Sequence, residues 1–379
     1  MKRVLLVPVM AAGLVAAPVQ AETSVTLYGV VDSGYGYEQF RFKGSGDRAR
    51  ATRSGLNDGY LKSNRWGIKG SEELGRGTRL IFQLEQGFSL NTGQAAKDHL
   101  AFSRKAIVGL SSDDWGTLTV GRQKPLGTDF LKLDTTKSMG KSSKAFGARG
   151  SRTDKLAKYI SPEFGGLTAG VAYATNGSVE YDSGSGLYEQ VDRDYLLSVG
   201  LRYARGPLTL AGVYDREHGN KDGHRRGYHI NNWALAASYD FDVVEVNLAY
   251  GQDRHGKLKS PGNVGSKPFG SAYSVTGLGD YNQKGFKSHN YMVSLSAPLG
   301  PGKLGVSWTR SSSNLDDVYA KANPGKQLST RTQNIFAAMY TYPVSKRTTL
   351  YAYGSHGNGL AYIDGLKGQE AGVGLNHAF

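Results

Sequence analysis

Residues 63–88 read SNRWGIKGSEELGRGTRLIFQLEQGF. Within "TRLIFQLE", Leu80, Phe82 and Leu84 fall on one side, and Arg79, Ile81, Gln83 and Glu85 on the other. This period of two predicts a strand with two unlike faces, and the turn-like "GSEELGRG" joins it to the preceding strand in a hairpin. A soluble sheet would turn its large apolar residues toward a core and leave the charges in water. The same contrast of faces recurs at 229–241, where Trp233, Leu235, Ala237 and Tyr239 alternate against Ala234, Ala236 and Ser238. At 288–298, Tyr291, Val293, Leu295 and Ala297 oppose Asn290, Met292, Ser294 and Ser296. A face carrying Arg, Glu, Gln, Asn and Ser is too polar to bury in a core. The apolar face is therefore assigned to lipid and the polar face to water.

Segments of this kind follow one another along the whole chain: 24–35, 63–74, 78–88, 103–112, 116–124, 155–164, 167–176, 194–205, 207–218, 229–241, 243–254, 288–298, 302–311, 332–343, 347–357 and 369–379. Short turns such as "SSDDWG", "PEFGG", "ARGP", "DFD", "PLGPG" and "PVSK" alternate with long polar connections near 36–62, 89–102, 125–154, 176–193, 216–228, 255–287, 312–331 and 357–368. Hairpins with one tight rim and one open rim produce this rhythm. Lipid demands that every backbone N–H and C=O be paired, so the sheet has to close on itself. The expected fold is all-β: a sixteen-stranded antiparallel transmembrane β-barrel. Barrels of that girth leave an aqueous bore. Trp66, Trp115, Tyr159 and Tyr342, near segment ends, suit an aromatic girdle at the membrane surfaces.

Composition agrees with a wet interior. Apolar residues make up only 39% of the 379, while Gly numbers 52 and Tyr 23, both high for a protein with a dry core. The chain opens MKRVLLVPVMAAGLVAAPVQA, with Lys2 and Arg3 before an apolar run and Val19-Gln20-Ala21 as a small-residue cleavage site. Residues 1–21 are expected to be a secretory signal peptide, leaving 22–379 as one barrel domain. Cysteine is absent, which excludes disulfides, thiolate metal sites and a cysteine nucleophile.

"SVTLYGVVD", "SNRWGIKGSEELGRGTRLIFQLE", "TLTVGRQ", "YISPEFGGLTAGVAYA", "SKRTTLYAYGSHG" and the terminal "LNHAF" occur in this order. Together they resemble the Gram-negative general porins of the β-proteobacterial branch, over essentially the whole mature chain. The resemblance implies an integral outer-membrane location and a homotrimer in contact with outer-membrane lipid and lipopolysaccharide. It also implies a third loop, about 125–152, that folds into the barrel and narrows it. It makes the last residue, Phe379, an assembly signal read by the outer-membrane assembly machinery. The family's constriction carries bases on the wall and acids on the loop. The basic positions correspond to Arg65, with Lys69 on the same face, to Arg104, with Lys105 competing because the parity is ambiguous, and to Arg152, with Arg122 beside the loop. The acidic side corresponds to Glu85, lumenal by parity, and to Asp134, with Asp129 as the nearby alternative.

The expected function is a water-filled passive diffusion channel for small hydrophilic solutes and ions. Opposed charges across a low-dielectric constriction focus the potential there. The surplus of Lys and Arg around the loop predicts an anion preference. The alternatives are a substrate-selective porin for phosphate or organic acids and an adhesin-type surface barrel. No enzyme is expected: His218, His224 and His229 lack metal-ligand spacing, no G-x-S-x-G elbow occurs, and the Gly-x-Gly runs precede no helix. No cofactor or metal is expected, and no nucleic acid, since the formal charge of +14 belongs to an exported chain.

Overall fold

A computed structural model describes residues 23–43, 48–97, 99–131, 146, 148, 152–175, 180–182, 188–190, 195–219, 228–255, 284–322, 324–325 and 327–379. β1 (Thr23–Lys43), β2 (Arg48–Asp58), β3 (Arg65–Gly75), β4 (Thr78–Gly87), β5 (Lys105–Ser112) and β6 (Gly116–Gln123) precede a single helical turn, α1 (Gly127–Phe130). β7 (Thr153–Ile160) and β8 (Leu167–Thr175) lead to a small separate hairpin of β9 (Glu180–Asp182) and β10 (Tyr188–Gln190). Then come β11 (Tyr195–Arg205), β12 (Leu208–Gly219), β13 (Tyr228–Asp240), β14 (Glu245–Arg254), β15 (Lys287–Leu299) and β16 (Gly302–Ser313). A short helix, α2 (Leu315–Ala322), separates these from β17 (Gln333–Pro343), β18 (Thr348–Asn358) and β19 (Lys367–Ala378).

Every neighbouring pair in the large sheet is antiparallel, and β1 meets β19 from Val30↔Ala378 to Arg41↔Lys367, so the sheet closes. Sixteen strands, β1, β3 to β8 and β11 to β19, make up the girth. All backbone edges are thereby paired, as a lipid environment requires. Among the described residues no helix is long and apolar enough to cross a membrane; the strands do the crossing.

The alternation decides which face is outside. Leu27, Val108, Val120, Val171, Leu201, Leu235, Leu248, Leu350 and Val373 are all exposed, whereas residues one position away, such as Ala172, Ala234, Asn247 and Tyr351, are buried. In a closed barrel the exposed apolar set is the outer belt. Trp66, Trp115 and Tyr342 stand exposed at its edges, and the Tyr159 hydroxyl donates to the Trp115 carbonyl at 2.7 Å.

The structure corrects the sequence reading most at the first long connection, 36–62, which is largely strand. β1 runs on to Lys43, and β2 pairs with its upper half (Ser33↔Asp58 to Lys43↔Arg48), end to end with β3, which pairs with its lower half (Thr23↔Glu72 to Val30↔Arg65). β2 reads RARATRSGLND. It needs only backbone pairing with β1 and no lipid-facing stripe, so it carries no hydrophobic period to detect. The two short helices lie in connections; Phe130 of α1 and Leu315 and Val318 of α2 are buried, but neither helix is long enough for a helical period to stand out.

The turn after β2 also folds inward. Tyr60 stacks on Tyr353 with ring centroids 3.4 Å apart, and its hydroxyl donates to Glu370 Oε1 at 2.6 Å. Fully buried Asp32 anchors this turn. Its carboxylate accepts the Lys62 N–H (2.9 Å), the Tyr351 hydroxyl (2.8 Å) and Asn376 Nδ2 (3.0 Å). At the long-loop rim, Leu360, Ile363 and Leu366 pack against Phe40 and Ile335.

Candidate functional site

β3, β4 and β5 bring one carboxylate and several bases to a single inner patch. Register sets Gly67 opposite Glu85 and Glu85 opposite Lys105, so these positions share a face, and Arg65 joins them two residues along β3. Glu85 is the hub. Its Oε1 accepts from Arg104 Nε at 2.7 Å, and its Oε2 lies 3.5 Å from Arg65 Nε and accepts from the Tyr28 hydroxyl at 3.1 Å. Gln83 Nε2 donates to the Tyr28 oxygen, and Lys69 Nζ sits over the Tyr28 ring, 5.7 Å from its centroid. Arg152 Nε donates to the Arg104 carbonyl, which places a third guanidinium beside the first two. Burial, and then the neighbouring Arg104 charge, push the Arg152 guanidinium down to about 10. It remains a cation at neutral pH.

Arg104 and Lys105 both belong to this patch. Arg104 precedes the first residue of β5 and so escapes the strand's alternation. Its backbone N–H donates to the Glu85 carbonyl at 3.1 Å while its side chain reaches the carboxylate. Lys105 faces Glu85 by register and lies within electrostatic range of Lys158, Asp129 and Arg152. Arg122 stands apart. It sits opposite Ala106, on the parity of Val120, beside an irregularity between Gly121 and Gln123. Its guanidinium donates to the Ser103 carbonyl at 3.0 Å and pairs with Asp154. Asp134 lies outside the described residues.

The third loop begins by crossing to the far wall. The Leu126 N–H donates to Ser198 Oγ at 3.3 Å, and α1 packs against β11 and β12. Leu126, Phe130, Leu131 and Phe146 are buried against Ala172, Ala174, Leu196, Ala211, Val213, Ala234, Ala249 and Met292, all on the inner faces of β8 and β11 to β15. The wall has room because its residues are small. A Cβ on Gly200 would sit 2.9 Å from Phe130 Cδ2, and one on Gly170 would sit 2.7 Å from Leu126 Cδ2. Burying each large loop side chain contributes roughly 1.5–3 kcal/mol, which holds these residues against the wall. From this seat Asp129 reaches Lys158 Nζ on β7 at 2.6 Å, and the same ammonium donates to the Lys124 carbonyl at 3.2 Å.

The charges therefore do not divide cleanly into a basic wall and an acidic loop. Glu85 is on the wall among the arginines, and Asp129 is on the loop against a wall lysine. The sequence reading missed Tyr28, Lys158 and the small-residue seat. The available signal for Lys158 was a lysine in the middle of β7 on the side away from Ala157 and Tyr159, although Leu156 and Ile160 share its face. The alanines opposite Leu235 and Tyr239 were the signal for the seat. His218 and His229 lie near Tyr195 at the strand ends, with His218 stacked on that ring at 5.7 Å between centroids; His224 lies outside the described residues.

An apolar outside, a polar inside, a closed sixteen-stranded wall and a loop seated within it define a membrane-spanning β-barrel of the channel class. The Gram-negative porin family model matches residues 8–359, and the chain belongs to that family. An outer membrane porin protein of Bordetella pertussis is 33% identical, covering 100% of both chains. The anion-selective porin from Comamonas acidovorans superposes with a TM-score of 0.68 at 23% identity, covering 94% of this chain and all of that one. An outer membrane protein of Vibrio cholerae, solved in a trimer form, superposes with a TM-score of 0.58 at 13% identity, covering 94% and 99%. The protein is an integral outer-membrane porin.

Proposed function

We propose that the barrel is a passive, water-filled diffusion channel for small hydrophilic solutes and ions, that it prefers anions, and that it works as a homotrimer. One observation carries the anion preference. Arg65, Arg104, Lys105, Arg152 and Lys158 converge on the inner patch, while the acids in contact with them are Glu85 and Asp129. That excess of positive charge, set between low-dielectric walls, lowers the energy of an anion at the narrowing and raises that of a cation. The anion-selective Comamonas barrel and the trimeric Vibrio barrel support the reading by analogy of fold.

In this reading the third loop from about 125 to 152 narrows the bore, residues 1–21 direct export, and 22–379 are the working domain. The C-terminal Phe379 serves as the address for the assembly machinery. Its backbone is already paired with Gly29, whose N–H donates to the Phe379 carbonyl at 2.9 Å. The relatives are channels, and the charged groups here need no catalytic role.

Reconstitution in a planar bilayer tests the proposal. Conductance steps grouped in threes support trimeric pores, and absence of conductance sinks the channel reading in favour of an adhesin-type barrel. Block of the current by low-millimolar phosphate supports the substrate-selective alternative.

A further inference from the structure

His218 lies one residue before the end of β12 and His229 one residue after the start of β13, on either side of a long connection. Their separation along the chain hides any metal-ligand spacing, but the hairpin register sets them directly opposite each other. Tyr195, at the start of β11, is the partner of His218 on its other side. The three positions share the parity of Leu201, Leu210 and Leu235, which are exposed on the outer belt. The three rings therefore stand on the outside of the barrel, at the rim where the long connections leave it.

The rings meet in a geometry that suits a shared ion. The two imidazole centroids are 5.1 Å apart and the ring planes are inclined by 52°. With bonds of about 2.0–2.1 Å to each nitrogen, two imidazoles on one tetrahedral metal stand about 5 Å apart at their centres. Tyr195 braces the pair. Its ring lies parallel to His218 within 7° at 5.7 Å, and its hydroxyl is 3.3 Å from His229 Nδ1. A tyrosine oxygen that accepts from Nδ1–H fixes the tautomer in which Nε2 keeps its lone pair, the role that supporting contacts play around metal-bound histidines.

The surroundings select the class of ion. Asp215 and Glu217 fall on the inward parity of Ala211 and Val213, so no carboxylate shares the outward face of the described β11 to β13. Arg216 stands two residues from His218 on the outward side and adds positive charge. Hard dications such as Mg2+ and Ca2+ need oxygen ligands, carboxylates above all, and find none here. Late first-row transition metals bind neutral imidazole strongly enough to tolerate the nearby charge. We propose that His218 and His229 form a site for such a dication, Cu2+, Ni2+ or Zn2+, with Tyr195 as the positioning residue. Among the described residues no third His, Asp or Glu joins the pair, and water completes the coordination. The site lies outside the bore and is independent of the channel activity. The expectation of no metal rested on spacing along the chain, and it is the register of the hairpin that brings the ligands together.

The test uses the full-length protein without a histidine tag, purified in detergent and titrated with Cu2+, Ni2+, Zn2+ and Mg2+ by calorimetry. Cu2+ should bind tightest, ahead of Ni2+ and Zn2+, with no heat from Mg2+. Electron paramagnetic resonance of the Cu2+ complex should show two nitrogen donors. H218Q and H229Q should each lower Cu2+ affinity on the order of 100-fold, the upper end of what loss of even a supporting contact costs, and Y195F about tenfold. Y195F should keep the two-nitrogen spectrum, whereas each histidine variant should lose it. H356Q, on distant β18, should behave as wild type. Heat-modifiable migration and conductance should be unchanged in all four variants, which separates loss of metal from loss of fold. Wild-type Cu2+ affinity in H218Q or H229Q overturns the proposal, and so does Mg2+ binding as tight as that of Zn2+. Loss of the site in H224Q with H218Q unaffected would move it into the connection and overturn it as well.

Discussion

Replacing Glu85 with Gln isolates the charge balance of the inner patch. The amide keeps one acceptor oxygen, for Arg104 Nε at 2.7 Å, and turns its N–H toward the Tyr28 oxygen, which can accept it in place of the 3.1 Å bond it now donates, so the packing is largely retained. The change removes one negative charge from among Arg65, Arg104 and Arg152. For a permeating anion about 6 Å away, one unit charge in water's dielectric is worth about 0.7 kcal/mol. Screening over a Debye length of about 8 Å at physiological salt roughly halves that. The change disfavours potassium by as much as it favours chloride, so the chloride-to-potassium permeability ratio should rise between about threefold and about tenfold. The assay is the zero-current potential in a salt gradient, measured at low and high ionic strength, with the gain shrinking at high salt. An unchanged or reduced ratio, in a variant that still shows heat-modifiable migration, would refute the assignment of Glu85 to the permeation path.

Three further outcomes follow from the same geometry. Arg152 should hold its full charge at pH 7 and lose it as pH rises through about 10; the gap in anion preference between wild type and R152Q should therefore be widest near neutrality and close toward pH 10. Phe130→Ala leaves a cavity in the loop's seat, a truncation that typically costs about 3–5 kcal/mol. It should make single-channel current noisier and larger without shifting the heat-modification temperature of the barrel. Asp32→Asn weakens the bonds to Tyr351, Asn376 and the Lys62 N–H, at a cost of about 1.5–3 kcal/mol for charged hydrogen bonds. Heat modification should occur at lower temperature, and conductance should rise as the Tyr60 turn loosens.

Much of the barrel was legible in the sequence because lipid imposes a strict rule on every strand that crosses it. Leu80, Phe82 and Leu84 set against Gln83 and Glu85 could be read directly, and so could the sixteen segments and their alternating connections. β2 could not, because a strand above the membrane needs no apolar face. Glu85 followed from parity, and Arg65 from resemblance. Arg104 could not be read from parity, because it sits just before β5, where alternation has not begun. Its role came from resemblance, and the structure places both it and Lys105 beside Glu85. The loop's seat was the least legible part. It depends on residues from six strands, most of them small, meeting Leu126 and Phe130 across the bore, and no single segment announces that contact. Arg122 shows the limit of loop-edge reasoning. It falls on the outward parity of Val120 and meets Ser103 and Asp154 rather than Glu85.

The reversal potential of the wild-type channel across a planar bilayer with a tenfold gradient of potassium chloride tests the central claim most directly. The potential should carry the sign that reports chloride as the more permeant ion and should move toward zero as salt rises on both sides. A potential of the opposite sign would contradict it.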